Sequence, residues 1–141
     1  MTLEDSPRDA RDRRIAKERL PSSTRKGRVG GRLNFVFIKQ TQMGIPFEIT
    51  LYYDPDEDGY LAQLISPEIE RDWRNPHIGH IFEDGVICVG GAKGRASPDL
   101  LTAFSKSCVW AEGIAIMIAS RNAGRPTEFP FSDNNHPGEV G

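Results

Sequence analysis

The chain is predicted to fold as one α+β domain, an antiparallel meander sheet packed against helices. Three observations predict this. Apolar and polar residues alternate in short runs between residues 33 and 64, the period of half-buried strands. Turn chemistry separates those runs. Helical spacing takes over beyond residue 97. The 141 residues suit a single domain, residues 1–141, with one core.

Residues 5–20 mix charges (Arg8, Asp9, Arg11, Asp12, Arg13, Arg14, Lys17, Glu18, Arg19) with few apolar anchors, chiefly Ile15 and Leu20. This is the pattern of an exposed N-terminal helix, ended by Pro21. Residues 21–31 (PSSTRKGRVGG) read as a mobile loop. Three strands are expected next. Leu33, Phe35, Phe37 and Ile38 mark the first. In the second, Phe47, Ile49, Leu51 and Tyr53 alternate with Glu48, Thr50 and Tyr52. Residues 54–59 (DPDEDG) form a turn, because Pro and Gly supply the dihedral angles and aspartates bond local backbone. Tyr60, Ala62 and Leu64 begin the third strand, which Pro67 ends.

Residues 68–94 lose all period, yet hold Trp73, Ile78, Ile81, Phe82 and Ile87, too many apolar groups for disorder. Ser97-Pro98-Asp99 then opens a helix, with Ser97 as N-cap, Pro98 at the first helical position and Asp99 favouring the positive end of the dipole. Leu101, Phe104, Cys108, Ala111, Ala115 and Ile118 are its expected core face. Gly124 and Pro126 follow its end, and the tail over 127–141 reads as weakly ordered.

A net charge of −2 gives no reason to expect nucleic-acid binding. No run approaches the ~20 apolar residues of a membrane helix, and no signal-peptide core precedes residue 20. A cytoplasmic location is therefore expected. Two cysteines, Cys88 and Cys108, make no disulfide framework. In a reducing compartment each is core filler or chemistry. Gly90-Gly91-Ala92-Lys93-Gly94 has no Ser or Thr after its lysine, so no nucleotide loop and no cofactor are expected.

The segment Ile78-Gly79-His80-Ile81-Phe82-Glu83-Asp84-Gly85-Val86-Ile87-Cys88 resembles the active-site loop of ubiquitin-conjugating enzymes. In that family a His-Pro-Asn signature precedes, at fixed spacing, Gly-x-Ile-Cys with the catalytic cysteine; Gly85-Val86-Ile87-Cys88 reproduces the second half. Ser97-Pro98 stand at the distance of the family's helix-opening Trp-Ser-Pro. The departures are Ile78 and Gly79 for His and Pro, His80 for Asn, and Ala96 for Trp. A shifted match through Asn75-Pro76-His77-Ile78 would put His77 in the Asn role. The chain is similar to divergent bacterial conjugating proteins, including those of antiviral (CBASS-type) operons.

The resemblance implies a conjugating-type fold in which Cys88 takes a partner's C-terminus as a thioester and passes it to a lysine amine. The implied partner is a nucleotidyltransferase that makes cyclic oligonucleotides, or a ubiquitin-like protein, with an activating enzyme as a possible third component. His80 would stabilise the oxyanion or act as a base. His77, Asp84, Asp99 and Ser97 are possible supporting residues. Three other readings stay open. His77, His80, Cys88 and Cys108 form a ligand inventory for a metal, at a spacing that fits no zinc signature. Cys88 with His80 would suit a cysteine hydrolase. A non-catalytic binding module would use Cys88 as a buried small hydrophobe.

Overall fold

The computed structural model describes residues 5–90 and 95–131. Its architecture is α+β: a four-stranded antiparallel open sheet packed against two helices. Helix α1 (Pro7–Arg19) starts where expected, with Ser6 as N-cap accepting from the Asp9 amide and proline in its first turn. Leu20 is buried and Ile15 half-buried, but Ala16 and the charged Asp12 also face inward.

Part of the expected mobile loop is instead a strand. β1 (Arg25–Val29) pairs with β2 (Arg32–Gln40) in register from Arg25↔Val36 to Val29↔Arg32. Every β1 residue is exposed, so no apolar alternation betrays it. Its signal is the turn. Gly30 and Gly31 both have positive φ, 59° and 81°, the backbone of a tight hairpin that glycine adopts without strain. The expected three strands are therefore four. β3 (Pro46–Asp54) and β4 (Gly59–Ser66) continue the meander in the order β1-β2-β3-β4. The turn between them is as expected, with Asp54 accepting from the Asp56 amide.

One sheet face carries Phe35, Phe37, Phe47, Ile49 and Leu51 into a core shared with Trp110 and Ile114. Those two residues belong to α2 (Leu100–Asn122), which lies against β3 and β4. By length and composition α2 is apolar enough to cross a membrane, which the sequence reading did not expect of any segment; here it is the core helix. Its buried stripe runs through Leu100, Ala103, Ser107, Trp110, Ile114 and Met117, at spacings of three and four, and is widened by Ala111 and Ala115. Ala111 and Ala115 of the expected face are fully buried, but its Leu101, Phe104, Cys108 and Ile118 are only half-buried, because the stripe is centred one residue away from them. Ser107 fits inside because its hydroxyl donates to the Phe104 carbonyl at 2.8 Å.

The start of α2 is also displaced. Asp99, not Ser97, is the N-cap, accepting from the Thr102 amide at 2.7 Å. Ser97 exchanges both backbone hydrogen bonds with Tyr60 of β4, at 2.8 and 2.9 Å, so it sits in strand-like pairing and cannot begin a helix. Asp99→Ala should cost about 1 kcal/mol, read as a lower urea midpoint with an unchanged slope. Loss of this size from Ser97→Ala and none from Asp99→Ala would contradict the assignment. The expected weakly ordered tail is partly packed: Phe129 is buried and meets Phe131 edge to face. A Cβ on Gly113 of α2 would lie 2.5 Å from the Phe129 ring, so glycine there makes room for this strap. Residues 132–141 of that expected tail lie outside the described residues.

Candidate functional site: the Cys88 hairpin

After β4 the chain turns through a short 3-10 segment, Arg71–Trp73, that buries Trp73. The Asn75 side chain accepts from the His77 amide at 2.8 Å, and its carbonyl accepts from the amides of Ile78 and Gly79. Gly79 is then pinned from two sides. Its carbonyl accepts from Trp110 Nε1 at 2.8 Å, and a Cβ on it would lie 2.2 Å from the Trp73 carbonyl oxygen.

The residues that follow are not irregular. Ile81 pairs with Ile87 in an antiparallel bridge, and the Phe82 amide donates to the Val86 carbonyl. Gly85, with φ 88°, closes the turn by donating to the Phe82 carbonyl. Residues 80–88 thus form a small hairpin. It attaches to β4 through the Ile87 amide on the Ala62 carbonyl and the Leu64 amide on the Gly85 carbonyl. Tyr52, Leu61 and Val86 make a second apolar cluster where it folds onto the sheet.

This hairpin places Cys88 opposite His80, with the Cys88 amide donating to the His80 carbonyl at 2.9 Å. Cys88 is 6% exposed and His80 5%. His80 has φ 54°, a left-handed conformation that few non-glycine residues adopt. Its ring lies 4.3 Å from that of Phe129, a contact the sequence did not indicate. His77 is exposed and shares with His80 a pocket of about 570 Å³, lined also by Asp72, Met117 and Phe129.

The supporting carboxylates are already engaged. Asp84 Oδ1 accepts from the Val86 amide and Oδ2 from Arg95 at 2.7 Å. Burial pushes the Asp84 carboxyl up, but the Arg95 and Val86 hydrogen bonds outweigh it and leave it below its usual range. Arg95 also binds Glu57 at 2.9 Å and lies over the Phe82 ring, tying the hairpin turn to the turn between β3 and β4. No pattern in the sequence marked Arg95. Asp99 serves as helix cap, and Ser97 is buried with its hydroxyl unbonded.

No family model, curated protein or solved structure matches this chain. The assignment of chemistry therefore rests on the residues themselves. Cys108 sits on α2 between the influences of Lys39 and Glu112, and burial pushes its thiol up to about 11. So little thiolate near neutral pH makes it a poor nucleophile. Among the described residues no three His, Cys, Asp or Glu side chains are grouped to hold a metal ion, so the inventory of His77, His80, Cys88 and Cys108 is not assembled into a site.

Proposed function

We propose that Cys88 is the acyl carrier of a ubiquitin-conjugating-type transferase. The observation that carries this reading is the hairpin itself. It presents Cys88 directly across from His80, on the edge of a meander sheet and ahead of a core helix. The Cys88 thiolate would attack the activated C-terminal carbonyl of a partner protein, expelling its leaving group and forming a thioester. A lysine amine would then attack the same carbonyl. Collapse of the tetrahedral intermediate would return the thiolate and leave an amide, the amine proton passing to a base or to water. An N–H donor near the carbonyl, with His80 as the candidate, would stabilise the oxyanion. The favoured partner is a nucleotidyltransferase of an antiviral operon, and an activating enzyme would supply the acyl group. Cys88 and Cys108 are in no disulfide, which suits a cytoplasmic setting.

A second reading has an observation of its own. Cys88 is more buried than the core residues Ala16 and Trp73, which favours a binding module that performs no transfer. One experiment separates the two. Wild-type, Cys88→Ala and Cys88→Ser chains are mixed with the nucleotidyltransferase, activating enzyme and ATP. The transferase reading expects a thiol-sensitive adduct in wild type, absent in Cys88→Ala and thiol-resistant in Cys88→Ser. A pull-down without any adduct would support the binding module instead. Release of the partner's C-terminal peptide in place of an adduct would indicate a cysteine hydrolase using Cys88 and His80.

A further inference from the structure

A second cavity lies away from the Cys88 hairpin, between α1, the turn joining β1 to β2, and the end of β3. It has a volume of about 540 Å³, within the ~300–1,000 Å³ usual for small-molecule sites. Tyr52, Tyr53 and Tyr60 line it, and so does Asp12, a carboxylate only 3% exposed. The Tyr60 hydroxyl donates to Asp12 Oδ2.

Two of the chain's own cations already show which chemistry these rings attract. The Arg8 guanidinium carbon lies 3.7 Å from the Tyr53 ring centroid on the sheet face that carries Tyr60, and that of Arg32 lies 4.1 Å from the Tyr52 ring on the other face. Both distances are well inside the ~6 Å reach of cation–π attraction. Arg8 is exposed, so another cation can replace it on Tyr53 at little cost. The charge of the lining agrees in sign. Asp9 and Asp12 are already paired with Arg28 and Arg11, so the lining carboxylates left to face a ligand are Asp54 and Asp56. The nearby start of α1 would favour an anion, but Ser6 already takes the Asp9 amide there.

We propose that this cavity binds an organic cation, a primary alkylammonium whose carbon chain lies on the tyrosine rings and displaces Arg8 from Tyr53. A free di- or polyamine and a protein's lysine side chain present the same chemistry. The proposal is independent of any reaction at Cys88.

The test titrates the full chain with pentane-1,5-diamine, a lysine capped at both ends of its backbone, pentan-1-ol and inorganic phosphate. Amide shifts of Gly30, Gly31 and Asp56 report occupancy. Saturable binding by the amines and none by the alcohol is expected, at a dissociation constant in the millimolar range or tighter, roughly 1 mM. The tighter of the two amines identifies the source. Tyr53→Leu and Asp56→Asn should each weaken binding roughly two- to fivefold, while Arg8→Ala should strengthen it by a similar factor by removing the competing guanidinium. Because Arg8 is exposed, that variant keeps the proposal testable even if Tyr53→Leu does not fold. Amine binding that Arg8→Ala weakens or leaves unchanged would overturn the proposal. So would equal binding by pentan-1-ol, binding by phosphate alone, or no saturable binding at all.

Discussion

Gly79→Ala is expected to lower stability by about 2–3 kcal/mol and to open the Cys88 hairpin to thiol reagents. The added methyl would stand 2.2 Å from the Trp73 carbonyl oxygen, and the obstacle is backbone, not a flexible side-chain end. Gly79 cannot move away freely, because its carbonyl holds the indole N–H of Trp110 in the middle of α2. Relief therefore means breaking that buried hydrogen bond or lifting residues 78–80, and His80 is the base of the hairpin that holds Cys88. The measurements are the thermal midpoint, expected to fall by about 5–10 °C, and the rate at which a disulfide reagent labels Cys88. Gly27→Ala is the control, since a Cβ there meets nothing within 4 Å and should change neither quantity appreciably. Unchanged labelling in a destabilised Gly79→Ala would show that access to Cys88 does not depend on this anchor.

The places where the sequence could and could not be read have physical causes. β3 was legible because Phe47, Ile49 and Leu51 face a core while Glu48 and Thr50 do not. β1 was not, because no side chain in it is buried and backbone pairing leaves no trace in residue type; only Gly30-Gly31 hinted at a hairpin. α2 was legible as a helix but not in its rotation. Apolar residues surround so much of it that the stripe through Phe104 and Cys108 competes with the true one through Ala103, Ser107 and Trp110. The Cys88 hairpin hides for another reason. Its partners, Ala62 and Leu64, lie more than twenty residues upstream, and no local period encodes a pairing at that range. Cys88 and His80 were singled out by the resemblance of residues 78–88 to a conjugating-enzyme loop, and the backbone hydrogen bond from Cys88 to His80 pairs them across the hairpin. Phe129, which covers His80, was missed because two aromatics around one proline in a polar tail are too short a run to reveal a contact.

Tyr60→Phe is expected to cost about 1.5–3 kcal/mol at pH 7 and distinctly less near pH 4. The hydroxyl it removes donates to Asp12, a carboxylate carried by α1 into the interior against β4. Burial raises the Asp12 carboxyl above its ordinary range, and the hydrogen bond from Tyr60 and the charge of Arg11 only partly oppose that. A folded-state value above the unfolded one stabilises the fold below the unfolded value, and that benefit is lost as pH rises through the folded value. At neutral pH the fold must therefore hold a buried anion, and the Tyr60 hydroxyl is its nearest donor. Without it the Asp12 carboxyl rises further, so the penalty is largest where the group is charged and shrinks where acid has neutralised it. Tyr60 itself stays protonated throughout, since burial and the Asp12 charge push its hydroxyl well up. Arg11, which also reaches the hydroxyl at 2.9 Å, is half exposed and regains water when the partner is lost, so it adds little. Urea denaturation of Tyr60→Phe at the two pH values, repeated in an Asp12→Asn background, isolates the effect. With asparagine at 12 the cost of losing the hydroxyl should drop to about 1 kcal/mol and lose its pH dependence. A penalty that is the same at both pH values, or that survives in full beside Asp12→Asn, would mean that α1 is held to the sheet by its other contacts, among them the packing of Ala16 and Leu20 and the Asp9–Arg28 pair, with the buried carboxylate a passenger.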